Sequence, residues 1–189
     1  MIKNISNLGD AALYCDFGKE VNKDINSQVI RYFKSIQKEN ITGVNNLTPS
    51  YNKLIVSFDL RKTNFKDLKK LIENLEINNS DDLKSKKIEI PVCCDENFSL
   101  DIKRLEEKLK ASKEKLFDNF FNKEFFCYMT GFIAGMPFLG DLDENMRVKR
   151  LETPRVKVPK GSVGITEQFT NIYTYESPGG WNIIGNTPL

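Results

Sequence analysis

A chain of 189 residues is long enough for one large domain or two small ones, and its 40% hydrophobic content allows a packed core. The 28 basic and 26 acidic side chains leave a net charge of only +2, which argues against a dedicated nucleic-acid binder. The chain has no histidine, which excludes Ser-His and Cys-His nucleophilic pairs, an imidazole base and the usual His-containing zinc sites within it.

The opening Met1-Ile2-Lys3-Asn4-Ile5-Ser6 lacks a long apolar run, and no stretch reaches 18 apolar residues. The expectation is a cytoplasmic protein with no signal peptide and no membrane span. The cysteines Cys15, Cys93, Cys94 and Cys127 show no CxxC spacing and read as reduced thiols.

Leu13, Cys15 and Phe17 alternate with polar neighbours and predict a strand ending at Gly18. Val21, Ile25, Val29, Tyr32, Phe33 and Ile36 follow helical spacing. Residues 41–47 read as a second strand, Pro49-Ser50-Tyr51-Asn52 as a turn, and Leu54-Ile55-Val56-Ser57-Phe58 as a third strand. Phe65, Leu68, Leu71, Ile72 and Leu75 mark another amphipathic helix, broken at Asn78-Asn79-Ser80-Asp81-Asp82. Lys87-Ile88-Glu89-Ile90 alternates again as a strand. The order β-α-β-β-α-β predicts a ferredoxin-like α/β sandwich over residues 1–88, followed by a second domain over 89–189. In that second half Ser99 is placed to cap a helix carrying Ile102, Leu105 and Leu109, and another helix is expected from Ser112, with Leu116, Phe117 and Phe120 on one face. Phe125 to Met129 form an aromatic run, and from Gly131 onward short strands alternate with Gly/Pro turns, as in a small barrel or sandwich.

Several segments could carry chemistry. The Gly131–Gly140 loop could bring backbone N–H groups to an anion, or be a buried turn; it lacks the Lys-Ser/Thr ending of a P-loop. Asp141, Asp143 and Glu144 could hold a metal or move protons, or form a solvated turn. Arg155, fixed by Pro154 before it, could clamp a carboxylate or phosphate bidentately, or pair with a nearby acid such as Glu152. Cys127 reads as a buried, inert thiol. Tyr173 and Trp181 could line a pocket with polar handles or simply pack.

The motifs Leu8-Gly9-Asp10-Ala11-Ala12-Leu13, Ile90-Pro91-Val92-Cys93, Tyr128-Met129-Thr130-Gly131-Phe132 and Gly135-Met136-Pro137-Phe138-Leu139-Gly140 occur in order. They are followed by the segment from Thr153 to Ile165 and by Ser177-Pro178-Gly179-Gly180-Trp181. In this series the chain resembles the B-type subunit of bacterial 5-oxoprolinase, also called allophanate hydrolase subunit 1 or the KipI family. The resemblance implies an α+β protein whose C-terminal domain is a cyclophilin-like β-barrel. It implies a hetero-oligomeric, ATP-dependent amidohydrolase that opens 5-oxoproline to glutamate. Its partners would be a C-type subunit (allophanate hydrolase subunit 2) and an A-type one, with ATP bound by the complex. Two alternatives come with it. One is a regulator that inhibits a sensor histidine kinase, as KipI does; the other is a carboxyltransferase component of a biotin-dependent urea carboxylase.

On this reading the ligand-facing surface is Arg155, Gly161, Ser162, Thr170, Tyr173, Ser177 and Gly179. Arg155 would hold a carboxylate, backbone N–H groups near Gly161 and Gly179 would face developing oxyanion charge, and the acid/base group would come from a partner. The chain departs from the family pattern in several places. Phe120-Phe121 stands where the family often has His-Ser. Gly131-Phe132-Ile133-Ala134-Gly135-Met136 replaces Gly-Phe-x-Pro-Gly-Phe, Phe169-Thr170-Asn171 replaces Gln-Thr-Gly, and Asn186 replaces an Arg. Family chains continue past Leu189 for about one or two strands, so an unpaired or partner-covered barrel edge is expected.

Overall fold

In a computed structural model that describes residues 1–77 and 85–188, the chain folds as two units, Met1–Lys86 and Lys87–Leu189. The N-terminal unit contains strands β1 (Asn4–Asn7) and β2 (Ala12–Asp16), helix α1 (Lys23–Glu39), strands β3 (Val44–Pro49) and β4 (Lys53–Phe58), and helix α2 (Phe65–Glu73). The strands form one antiparallel sheet in the order β1-β2-β4-β3. Two-residue alternation sends Leu13 and Cys15 of β2 and Leu54, Val56 and Phe58 of β4 to one face. There they pack with Val29 and Ile36 of α1 and Leu68 and Ile72 of α2. Burying each such aliphatic side chain contributes about 1.5–3 kcal/mol. Burial also pushes the Cys15 thiol up to about 12, so it stays protonated and acts as a small apolar side chain.

Both helices begin on an asparagine cap. The Asn22 side chain accepts the Ile25 N–H at 2.9 Å, and the Asn64 side chain accepts the Asp67 N–H at 3.0 Å. α1 ends at Asn40 in the left-handed conformation (φ 45°) that asparagine tolerates.

One expectation fails here. Residues 87–90 form no strand, and Ile88 is 68% exposed. The sheet edge beside β2 is instead occupied by β1, a strand with little signal in the sequence. β1 reaches it through a short local hairpin, with the Leu8 N–H donating to the Ala12 carbonyl at 2.9 Å. The break at residues 78–82 lies outside the described residues.

Where β2 ends, the Lys53 ammonium meets Asp16 Oδ1 at 2.6 Å and holds the Asp16 carboxyl below its ordinary 3.8. A depressed carboxyl contributes stability above its unfolded pKa and loses it as pH falls through the folded value. In urea unfolding the difference between wild type and Lys53→Met should therefore be largest at neutral pH and shrink as pH falls below 3.8. An unchanged difference at low pH would contradict this.

The C-terminal unit contains α3 (Ile102–Leu109), α4 (Lys113–Phe121), β5 (Phe126–Thr130), β6 (Pro137–Gly140), a 3₁₀ turn (Glu144–Met146), β7 (Arg155–Val158), β8 (Ser162–Thr166), β9 (Phe169–Ile172), β10 (Ser177–Gly179) and β11 (Asn182–Asn186). Five strands pair antiparallel in the order β11-β8-β9-β6-β5, and β7 and β10 form a separate two-stranded ribbon. One sheet face sends Val163, Ile165, Ile172 and Ile184 against Ile102 and Leu105 of α3 and Leu116 and Phe120 of α4. The other sends Phe138, Tyr173 and Ile183 against Met136 and Val158, the last residue of β7. The architecture is mixed α/β with antiparallel sheets, and among the described residues the strands do not close into a barrel.

Ser112 caps α4 as expected, accepting the Lys115 N–H at 3.4 Å. Ser99 does not cap α3. The cap residue is Asp101, and the Ser99 hydroxyl donates instead to the Cys94 and Ile184 carbonyls at 2.8 and 3.0 Å. The outer edge of β11 is met by Cys93, Ser99 and Asp101. No helix among the described residues is long and apolar enough to cross a membrane.

Candidate functional site

The β7–β10 ribbon lies against the sheet face that carries Tyr173 and Ile183, and polar groups gather between them. Arg155 opens β7 opposite Gly179 of β10. Its Nη2 donates to Asp101 Oδ1 at 2.6 Å. The other oxygen of that carboxylate accepts the Ile183 N–H at 2.6 Å, and the Asp101 N–H donates to the Ile183 carbonyl at 3.0 Å. Asp101, 6% exposed against 28% for Arg155, thus ties the start of α3 to β11 and fixes the guanidinium plane. The acid on Arg155 is Asp101, not the neighbouring Glu152.

Arg155 Nη1 and the Ser177 hydroxyl are buried without a hydrogen-bond partner among the described residues. The fully buried Asn171 amide lies beside the Tyr173 hydroxyl, with neither of its polar atoms in a bond of full geometry. An unmet buried polar group costs about 1–3 kcal/mol, so their gathering around one side chain departs from ordinary core packing.

Tyr173 is central to this group. Burial raises the pKa of its hydroxyl, while Asn171, Arg150, the Trp181 backbone and Arg155 act in the opposite direction. The phenol remains neutral and able to donate. Two glycines make the approach possible: a Cβ on Gly179 would stand 2.2 Å from the Tyr173 oxygen, and one on Gly164 would stand 2.8 Å from Asn171 Oδ1.

The structure distributes the seven residues singled out from sequence unevenly. Arg155, Ser177 and Gly179 share the ribbon. Tyr173 faces it, and Ser162 lies on the same side of β8 as Gly164, which backs Asn171. Gly161 sits in the preceding turn at φ +81°, where its N–H donates to the Tyr173 carbonyl at 2.7 Å. That amide is therefore engaged and does not face a ligand. Thr170 lies on the opposite face of β9, and its hydroxyl donates to the Gly164 carbonyl at 3.0 Å. Sequence reasoning missed Asp101 as the arginine's partner and treated Asn171 only as a departure from a pattern. An acidic residue at a helix start offered some signal for Asp101, but no spacing links positions 101 and 155.

The other candidate segments resolve differently. In the Gly131–Gly140 loop, Gly131 N–H donates to the Met136 carbonyl at 3.0 Å and Ile133 N–H to the Gly131 carbonyl at 2.7 Å. These two donors are satisfied within the loop. Asp141 accepts from the Tyr128 hydroxyl at 2.8 Å and from Gln168 at 3.0 Å, whereas Asp143 pairs with Lys123. Burial and the Asp141 charge raise the Tyr128 pKa. No three acidic or thiol groups among the described residues are arranged to hold a metal. Cys127 is exposed, not buried as expected. The Trp181 ring packs edge-on against Phe138 at 5.7 Å.

This architecture is that of carboxyltransferase-type domains: residues 3–189 match the family described as "Carboxyltransferase domain, subdomain C and D". The chain belongs to that family and, within it, to the family of 5-oxoprolinase B-type subunits. It is 32% identical to the 5-oxoprolinase B-type subunit of Bacillus subtilis, over 98% of this chain and 82% of that protein. It is 32% identical to the B-type subunit of Haemophilus influenzae, over 97% of this chain and 85% of that one. The fold also matches the crystal structure of the Kluyveromyces lactis urea amidolyase with a TM-score of 0.82 at 20% identity, over 97% of this chain and 13% of that much longer chain.

Proposed function

We propose that this chain is one subunit of a hetero-oligomeric, ATP-dependent 5-oxoprolinase and is inactive alone. The observation that carries this reading is the near full-length likeness to proteins named as B-type subunits of 5-oxoprolinase. The partners would be a C-type protein (allophanate hydrolase subunit 2) and an A-type one, acting together in the cytoplasm. The finer fold reading is a ferredoxin-like N-terminal domain over 1–88 and a cyclophilin-like domain over 89–189. The split arrangement of β2, α1 and β3 around β4 supports the first part.

Within the site, Arg155 Nη1 is the free arm of a guanidinium that Asp101 already orients, and it would donate to a substrate carboxylate. The Tyr173 and Ser177 hydroxyls and the Gly179 backbone would shape the rest of the surface, with Ser162 beside them. Gly161 and Thr170 would support it from behind through the bonds they already make. The resemblance implies ATP in the complex. The Gly131–Gly140 loop lacks the Lys-Ser/Thr ending that a P-loop uses for a triphosphate, so ATP would be held elsewhere in the complex. With no histidine here, the acid/base group would come from a partner.

The test is reconstitution with A-type and C-type partner proteins and assay of 5-oxoproline-dependent ATP hydrolysis. Arg155→Ala should raise the 5-oxoproline KM by about tenfold or more, since a charge-assisted hydrogen bond is lost. Unchanged turnover and affinity would refute its role. The match to a carboxyltransferase family favours a second reading, a component of a biotin-dependent carboxylase. Turnover that required a biotinylated partner would select it. Stable binding to a histidine kinase without either activity would instead indicate a KipI-like regulator.

A further inference from the structure

A second polar site lies in the N-terminal unit and shares no residue with the Arg155 cluster. Lys3, Asp16, Gly18, Lys19, Glu20 and Ile25 line a cleft of 460 Å³ where β2 ends and α1 begins. Clefts that hold small molecules span about 300–1,000 Å³. The acceptors around it are already engaged. Asp16 takes the Lys53 ammonium at 2.6 Å and the Gly18 N–H at 2.7 Å. The Gly18 carbonyl takes both Lys53 and the Asn52 amide, and the Glu20 carbonyl takes the same amide at 2.9 Å.

The cations are in the opposite position. Lys3 and Lys19 make no ion pair among the described residues. Both are exposed, and Lys3 is anchored beside the cleft through its backbone. Its N–H donates to the Asp16 carbonyl at 2.7 Å, and its Nζ lies 3.0 Å from where a Cβ on Gly18 would stand. The first turn of α1 adds the positive end of a 17-residue helix. The Glu20 carboxylate, which lines the cleft, and Asp24 in that turn oppose an anion. Among the described residues the Glu20 carboxylate meets only the Asn22 amide, at 3.4 Å.

We propose that this cleft binds a small oxyanion, a carboxylate or phosphate group, between Lys3 and Lys19 at the start of α1. Lys53 neutralises Asp16, so the ligand meets two ammonium groups outside any ion pair, opposed by Glu20 in the lining and Asp24 in the first turn of α1. The site is independent of the Arg155 cluster, and its test does not use 5-oxoproline turnover.

The full chain, labelled with ¹⁵N, is titrated at low salt with inorganic phosphate and, separately, with succinate, using sodium chloride as the control. The expected result is saturable shifts confined to the amides of Lys3 and residues 16–25 with at least one of the two anions. Which anion saturates identifies the group recognised. Lys3→Gln and Lys19→Gln should each weaken binding by about tenfold, and Glu20→Gln should tighten it. Circular dichroism confirms that each variant is folded. Linear shifts matching those with chloride, or saturable shifts that none of the three substitutions alters, would overturn the proposal.

Discussion

Asp101→Ala should destabilise the C-terminal unit by about 3–5 kcal/mol, the cost of removing one partner from a buried ion pair. The substitution strips the acceptor from two bonds of 2.6 Å at once, one from Arg155 and one from the Ile183 N–H. Arg155 would then hold a guanidinium with neither arm paired, since Nη1 already lacks a partner among the described residues. Its 28% exposure lets water reach part of that charge, which places the loss toward the lower end. Asp101→Asn retains one acceptor and should lose less. Asp101→Ala with Arg155→Met removes the stranded charge and should recover part of the stability. The single tryptophan, Trp181, lies beside β11 and reports on this unit by fluorescence during urea unfolding. A loss below about 1 kcal/mol, the scale of an exposed pair, would show that Asp101 does not carry this junction.

The same residue shows where sequence reading stops. Local signals were legible. The alternation through Leu13, Cys15 and Phe17, the helical spacing from Ile25 to Ile36 and the Ser112 cap each involve neighbours within a few positions, and each appears in the structure. Non-local contacts were not legible. Asp101 reads as a helix-start residue, and its distinguishing feature is an arginine 54 positions away. Lys87-Ile88-Glu89-Ile90 has a clean strand alternation, but β1 fills the position beside β2 that it was expected to take. Asn4-Ile5-Ser6-Asn7 has almost no strand signal and forms β1 because a four-residue connection delivers it beside β2. For the proposed site, Arg155, Tyr173, Ser177 and Gly179 stood out because glycine, proline and polar residues are concentrated there. Asn171 was not, because its importance lies in partners it fails to find, which only three-dimensional placement reveals.

Gly179→Ala should cost about 3 kcal/mol, the upper part of the range for overpacking a core, and should also impair the proposed subunit function. The added Cβ would stand 2.2 Å from the Tyr173 oxygen, 2.8 Å from Cζ and 3.0 Å from Cε1. The ring cannot easily step aside, because Tyr173 is 1% exposed and packs with Met136, Val158 and Ile183. The ribbon must move instead, and Gly179 pairs directly with Arg155, so the displacement reaches the guanidinium held by Asp101. Tyr173→Phe alone should cost about 1 kcal/mol for its lost hydrogen bonding. In the double variant the closest contact disappears while the ring contact at 2.8 Å remains, so the combined loss should fall short of the sum. Tyr173→Leu, with no ring to strike the new methyl, should relieve Gly179→Ala further. Trp181 fluorescence in urea, run on all members of the cycle, measures the coupling. Strict additivity would mean that the glycine does not serve the tyrosine, and the close approach of ribbon and phenol would then play no part in shaping the site.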